Sequence, residues 1–422
     1  MLMILSQVKN GNYIFNVMLK QAQKDLLIKE MELDALLEIT KAINRNESEE
    51  GLYSIFHFTL RSKMDIDAAS LYVFEGNSWS CKANYGFERP FKSEIIEEEL
   101  SGIQNITILD KSKKSQIAKI FEAVVPVKHK DKILAYVLIS VVGDEEELAI
   151  KLLPFVQSIS NIILVAIENK RLAKKELLQQ AAKKELEIAR NVQNMLFPKK
   201  LADTEILKIK AAYYPHNEVG GDYYDYIKLD KNRFVLCIAD VSGKGVPAAM
   251  LMSNFQASFR ALLSVNLGLV DVVKGANALL LNNSRGEYFI TFFSILIDLE
   301  QKTIQYINAG HNPPVLIKDG KVLFLDKGTT ILGMFDVLPL IELGELSFEK
   351  NLFLFAYTDG LSEVRNENGE EFGDEQIKYH LLKSLNLEHA DIPMALKLAA
   401  DEFRASLPYT DDVTMLSCDV NL

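Results

Sequence analysis

Cysteine is scarce: Cys81, Cys237 and Cys418 are the only three in 422 residues, and they lie far apart. That spacing excludes a disulfide framework and a CxxC metal knuckle. Cys237 sits inside the apolar run FVLCIAD and reads as a small buried hydrophobe. Positive charge is also short, with 47 Lys and Arg against 58 Asp and Glu, a formal net charge of -11. The resulting field repels phosphate backbones and anionic head groups, which excludes nucleic acid and charged membrane surfaces as partners. Long hydrophobic runs are missing too. The longest, Leu152 to Ile167, is broken by Gln157, Ser158, Ser160 and Asn161 and falls short of the ~20 apolar residues that span hydrocarbon. The apolar start, Met1 to Leu5, lacks a basic flank, a sustained apolar core and a small-residue cleavage site. These absences predict a cytoplasmic protein without a membrane span.

What is present is the composition of a folded chain, 48% hydrophobic and 25% charged. The length exceeds one ordinary core and predicts two domains joined by a helix. Between Asn16 and Ile43, Leu26, Met31, Leu36, Leu37, Ile39 and Ile43 recur at helical intervals, so residues 1–45 predict an amphipathic helix. Residues 46–168 mix a helical run with strand-like ASLYVFEG and SWSCKANYG around a Gly-Asn turn, then AVVPVKHKDKILAYVLISVV and a closing helix. Two β-rich runs joined by the polar link HKDK predict a hairpin, and the whole an α+β domain. Residues 169–197 hold no Gly or Pro and are dense in strong helix formers. Leu178, Ala182, Leu186, Ala189, Val192 and Leu196 form one stripe there, before Pro198. This connecting helix predicts either a parallel dimeric coil or packing on its own downstream domain.

In residues 198–422 four aspartate-bearing turns stand out: EVGGDYYDYIKL with Asp222, FVLCIADVSGKGVPAAML with Asp240, LFLFAYTDGLSEVRNENGEEFG with Asp359, and LPYTDDVTMLSCDV with Asp411 and Asp412. A lone Asp-Gly is usually an ordinary acidic turn. Here apolar strands lead into or out of each turn and would bring carboxylates together where like charges repel. Hard oxygen ligands without His or Cys predict two Mg²⁺ or Mn²⁺ ions rather than zinc. A pair of such ions suits in-line displacement at a phosphate ester.

EIARNVQNMLFPKKL, EVGGDYYDY, ADVSGKGVPAAML, YFITFFSILIDL, INAGHNPPVLI, YTDGLSEVRNENGEEFG and TDDVTML follow one another in order. In these motifs the chain from about Glu185 to its end resembles the PPM-type metal-dependent protein phosphatases, in their bacterial sporulation and stress-regulator branch. The resemblance implies an αββα sandwich with two metal ions between its sheets. It implies that Asp240 bridges both ions, with the carbonyl of Val241 beside it, that Asp222 holds the second, and that Asp359 and Asp411 hold the first. Asp225, Gly360 and Asp412 are candidates for supporting those ligands. His311, with Asn308 and Asn312 in NAGHNPP, reads as a turn stabiliser or as a titrating group at the phosphate. The implied reaction is hydrolysis of phosphoserine or phosphothreonine without a covalent phosphoenzyme, on a phosphorylated anti-sigma-factor antagonist of the STAS type. Residues 46–168 resemble a GAF domain, mainly through VVPVKHKDKILAYVLISVV, which implies a small-molecule or protein ligand there. No arginine evident among the aspartate motifs steadies the incoming phosphate, and the general acid is unassigned.

Two other readings stand beside this one. GGD also begins the diguanylate cyclase signature, but here YYD follows it. A GAF-containing scaffold with an inactive phosphatase-like domain is the alternative from another class, and the presence of all four aspartates argues against it. The expected assembly is a homodimer whose connecting helix carries a sensor change to Asp222 and Asp240.

Overall fold

The computed structural model describes residues 2–64, 66–112, 114–129, 132–140, 146–318, 320–385 and 391–422. Lys130 and Asp131 of the HKDK link lie outside them. The chain forms two compact units, Met1–Gln179 and Gln180–Leu422.

The first unit runs α1 (Leu2–Asn44), α2 (Glu49–Lys63), β1 (Ala68–Glu75), β2 (Ser78–Tyr85), α3 (Ser93–Leu100), β3 (Thr107–Ile108), β4 (Ala123–His129), β5 (Lys132–Ser140) and the start of α4 (Glu146–Asn194). Its antiparallel sheet has the order β2-β1-β5-β4-β3. Gly76 and Asn77 both take positive φ, 55° and 73°, and close the β1–β2 hairpin with Glu75 opposite Ser78. That two-residue turn needs left-handed backbone, which Gly and Asn tolerate best. β4 and β5 pair as the second hairpin. One sheet face buries Leu71, Val73, Val125 and Val137 against Ile39, Phe56, Val156 and Ile163 of the long helices. The other buries Tyr72, Tyr136 and Leu138 against Ile96, Leu100 and Phe121. The expected α1 stripe splits: Ile39 is buried, whereas Leu26 and Leu37 are exposed.

α4 is one unbroken helix, so the closing helix and the connecting helix of the sequence are a single element. Between Lys151 and Asn194 it contains an 18-residue window of mean hydropathy 1.4, long and apolar enough by length and composition to cross a membrane. Half of that window is buried here, with Leu152, Leu153, Val156, Ile159 and Ile163 in the first unit's core. Farther along, Leu172, Leu178 and Val192 are exposed.

The second unit continues with β6 (Leu207–Tyr214), β7 (Tyr223–Lys228), β8 (Arg233–Val241), α5 (Val246–Ser264), α6 (Leu269–Ser284), β9 (Ile290–Asp298), β10 (Thr303–Ala309), β11 (Val315–Lys318), β12 (Lys321–Phe324), β13 (Gly328–Thr329), β14 (Gly344–Ser347), β15 (Asn351–Tyr357), α7 (Asp359–Ser362), α8 (Gly373–Leu385), α9 (Ile392–Arg404) and β16 (Val413–Asn421). One sheet has the order β13-β10-β9-β8-β7, with β14 also on β10, and the other β12-β11-β15-β16-β6.

Strand alternation sorts the residues into four layers. Along β8, Val235, Cys237, Ala239 and Val241 pack on Met252, Phe255 and Phe259 of α5, each large side chain contributing roughly 1.5–3 kcal/mol on burial. Phe234, Leu236 and Ile238 turn the other way, onto Leu354, Ala356, Leu416 and Cys418 of the second sheet. Beyond that sheet, Phe355, Tyr357 and Met415 meet Ile377, Leu381 and Leu396 of α8 and α9. The unit is therefore an αββα sandwich, and Cys237 and Cys418 are free, buried thiols within it.

Candidate metal and active centre

The alternation that builds the sandwich also aims the aspartates. Ile238 faces the space between the sheets, so Asp240, two residues on, projects into the same space at the end of β8. β7 pairs Tyr223 with Ala239; one step beyond, Asp222 falls opposite Asp240. From the second sheet, Leu354 and Ala356 face inward, and Thr358 follows at the tip of β15. On β16, Leu416 faces inward and Thr414 precedes it by two. Both threonine hydroxyls donate to Asp222 Oδ2, from 2.8 Å for Thr358 and 2.5 Å for Thr414. Asp359 opens α7, and Asp411 and Asp412 stand immediately before β16.

Their mutual influence shows in their acidities. Burial, then the charges of Asp240 and Asp412, hold the Asp222 carboxyl well above the usual carboxylate range. Burial, then Asp359 and Asp411, push Asp240 up to about 7. Asp359 is raised by burial and by Asp411. Asp412 is raised by burial, against the opposing effect of the amides of His216 and Gly221. Those amides donate to its two oxygens at 2.7 Å each. Asp412 thus pins the turn that presents Asp222. Asp222 and Asp240 are buried like charges with no cation against them, the condition that holds protons on carboxylates, and Lys244 offsets only the outer pair, Asp359 and Asp411.

The donor set fits a hard divalent cation: acceptor-only carboxylates with a main-chain carbonyl beside them. A Cβ added to Gly221 would stand 2.9 Å from the Val241 carbonyl oxygen, so only glycine lets that carbonyl and the Asp222 turn lie so close. Among the described residues no three of His, Cys, Asp and Glu close into a finished cage. Oxygens of two aspartates are turned onto protein partners instead, Asp222 onto the threonines and Asp411 Oδ2 onto Lys244 Nζ at 2.7 Å.

The remaining candidates divide. Gly360 backs the site by its size, since a Cβ there would come within 1.9 Å of the Asp412 carbonyl. Asp225 does not join the cluster. It lies opposite Cys237, on the helix-facing side of the sheet, fully buried. Arg260 of α5 holds it through Nε at 2.7 Å and Nη2 at 2.8 Å, and the Tyr223 hydroxyl donates to it as well. Period-two counting from Asp222 already puts Asp225 on the other face.

His311 is buried, with Nδ1 2.9 Å from Thr291 Oγ1. Thr291 is the cross-strand neighbour of Asp240, so one side chain separates the ring from the carboxylates. Burial holds the imidazole down at about 4, neutral near pH 7. Asn308 Oδ1 accepts from the His311 amide at 2.8 Å while its amide donates to the Leu325 carbonyl at 3.0 Å. Gly310 supplies a φ of 68° at this turn. Asn312 Nδ2 reaches Ser362 Oγ at 3.4 Å.

Sequence reasoning missed Thr358, Thr414, Lys244 and Gln193. The threonines carried a signal, because both sit at inward-facing positions of the TDG and TDDVT motifs. Gln193, in the last turn of α4, donates through Nε2 to the Gly220 carbonyl at 2.7 Å and accepts from the Gly220 amide at 3.3 Å.

Residues 230–421 match the family of stage II sporulation protein E (SpoIIE). Among curated proteins, the chain is similar to phosphoserine phosphatase RsbU of Bacillus subtilis, 33% identical over 194 residues covering 46% of this chain and 57% of that protein. It is also similar to phosphoserine phosphatase RsbP of the same organism, 30% identical over 185 residues, 42% of this chain and 45% of that protein. The chain thus spans about half the length of the curated relatives it matches. Among solved structures, the SiaA-PP2C domain of Pseudomonas aeruginosa shares the fold, with a TM-score of 0.51 at 18% identity over 58% of this chain and 98% of that one.

Proposed function

We propose that this chain, whose residues 230–421 match the SpoIIE family, is a divalent-metal-dependent phosphatase of phosphoserine or phosphothreonine on a regulatory protein. One observation carries the reading: carboxylates from both sheets meet at one end of the sandwich with a single lysine at their edge, Asp240 being pushed up to about 7. The relatives named phosphoserine phosphatases support it.

In this reading Asp240, Asp222, Asp359, Asp411 and the Val241 carbonyl would hold two ions, Mn²⁺ or Mg²⁺. Bound there, such ions supply positive charge for the phosphoryl oxygens and make water acidic enough to attack near neutral pH. The chain's own part is orientation. Thr358 and Thr414 fix Asp222, and Asp412 fixes the turn before it. Catalysis of this kind depends on groups placed before the reaction begins.

The substrate, by the resemblance of the motifs, is a STAS-type anti-sigma-factor antagonist. The first unit acts as a GAF-like sensor of a small molecule or protein, supported by its five-stranded antiparallel sheet with helices on both faces. The protein acts in the cytoplasm as a homodimer whose copies pair along α4, a pairing supported by exposed Leu172, Leu178 and Val192. α4 reaches the catalytic turn through Gln193, so the sensor acts on Asp222 from a distance.

The test is phosphate release from a phosphoserine STAS-type protein and from a small phosphoester, with Mn²⁺, with Mg²⁺ and with chelator, for the full chain, for residues 198–422 and for Asp240→Asn. Metal-dependent release that the substitution lowers by about 10³-fold or more is expected, several kcal/mol of lost charge stabilisation. Release that survives chelator or Asp240→Asn overturns the metal reading. Equal rates for the full chain and residues 198–422 overturn control by the sensor.

A further inference from the structure

The carboxylate cluster poses a problem for its own proposed substrate. A phosphate monoester near neutral pH is close to a dianion, and it approaches a mouth lined by aspartates. One basic side chain of the same sheet layer, Arg260, is committed to Asp225 on the opposite face. Among the strongest influences on the shifted aspartates, the single cation is Lys244, which acts on Asp359.

Lys244 belongs to the SGKG turn between Asp240 and α5. Its Nζ lies 2.7 Å from Asp411 Oδ2 and donates to the Thr410 carbonyl at 2.7 Å. Half of its side chain and about a third of Asp411's remain exposed, 50% and 37%, so the pair sits at the mouth and not in the core. Little crowds the backbone on either side of it. Gly243 and Gly245 flank it with φ of 91° and 72°; a Cβ at Gly245 would meet nothing within 4 Å, and one at Gly243 only the Tyr288 ring. An ammonium on a four-carbon stem between two glycines trades one anionic partner for another with little cost to the fold.

We propose, resting on the phosphatase reading above, that Lys244 is the phosphate-binding residue of this site, leaving Asp411 to hydrogen-bond a non-bridging oxygen of the substrate's phosphoryl group. Lysine is suited to that role as a compact point charge with three donors. The exchange moves no proton and breaks no covalent bond.

Inorganic phosphate titrated calorimetrically into Mn²⁺-loaded full-length protein tests this apart from turnover. Lys244→Ala is expected to weaken phosphate binding and raise KM by about tenfold or more, the range for a hydrogen bond between charged groups. kcat changes less, Lys244→Arg recovers most of the affinity, and the melting temperature stays put. Unchanged phosphate affinity and KM in Lys244→Ala overturn the proposal while leaving the phosphatase reading intact. A loss of Mn²⁺ affinity equal to the loss of phosphate affinity overturns it as well, since Lys244 would then merely hold Asp411. A wild-type protein that neither binds phosphate nor releases it, with Asp240→Asn indistinguishable from it, overturns both.

Discussion

Asp222 and Asp225 stand three residues apart on the same strand turn, and both are buried, at 1% and 0% exposure. On one face of the sheet Asp225 meets a two-pronged guanidinium, that of Arg260. On the other, Asp222 meets further carboxylates and two hydroxyls. The first arrangement is how a fold normally tolerates a buried charge. The second leaves charge uncancelled, which stability alone gives no reason to keep, and which a cationic ligand resolves. Three residues of sequence thus separate a carboxylate paired with a cation from one that has none, and the difference lies in what the opposite layer supplies.

The largest expected effect breaks the structural side. Arg260→Ala leaves Asp225 without a cation and should cost about 3–5 kcal/mol, read as a fall in the urea midpoint with unchanged metal binding by the remaining folded protein. A loss under about 1 kcal/mol would show that Tyr223 and the backbone suffice for Asp225.

The next effect concerns pH. His311 binds its proton more weakly in the fold, at about 4, than a free imidazole does at 6.5, so the unfolded chain takes up more protons below pH 6.5. Stability from this group is therefore present above 6.5 and lost as pH falls toward 4, by an amount on the order of 3 kcal/mol. Urea midpoints at pH 7 and 4.5 should separate more for wild type than for His311→Gln. Equal separations remove His311 as the cause.

The smallest effect has the opposite sign. In ion-free protein Asp240 holds its proton more tightly than in the unfolded chain, since its carboxyl is raised from 3.8 to about 7. Its repulsion therefore weakens the fold most above pH 7 and fades as pH falls. Asp240→Asn should raise the melting temperature by a few degrees at pH 8 and by less at pH 5. A lower melting temperature at pH 8 would mean that this side of the sheet is as self-sufficient as the other.

Much of this was legible beforehand because alternation and turn chemistry are local. The Gly76–Asn77 hairpin, the strands leading to Asp240 and Asp359, and the acidic pair before β16 follow from patterns a few residues wide. Asp225 shows a signal present but unused, since counting by twos from Asp222 sets it on the opposite face. Other features depend on distant partners that no local pattern contains. Lys244 meets Asp411 across 167 positions of chain, and Thr414 meets Asp222 across 192. The unity of α4 escaped for another reason. Its composition shifts near residue 169 from apolar to charged, which looks like a boundary, yet no breaker stands there, and the shift records what surrounds the helix, not where it stops.

Gln193 reads a single residue, taking from the Gly220 amide and giving to its carbonyl. Advancing a helix by one residue rotates a side chain by ~100° and shifts it by ~1.5 Å, enough to lose both bonds at once. The Asp222 turn is therefore wired to α4 as a key is to a lock with one notch: small elastic strain along the helix leaves the fit alone, whereas a register step disengages it completely.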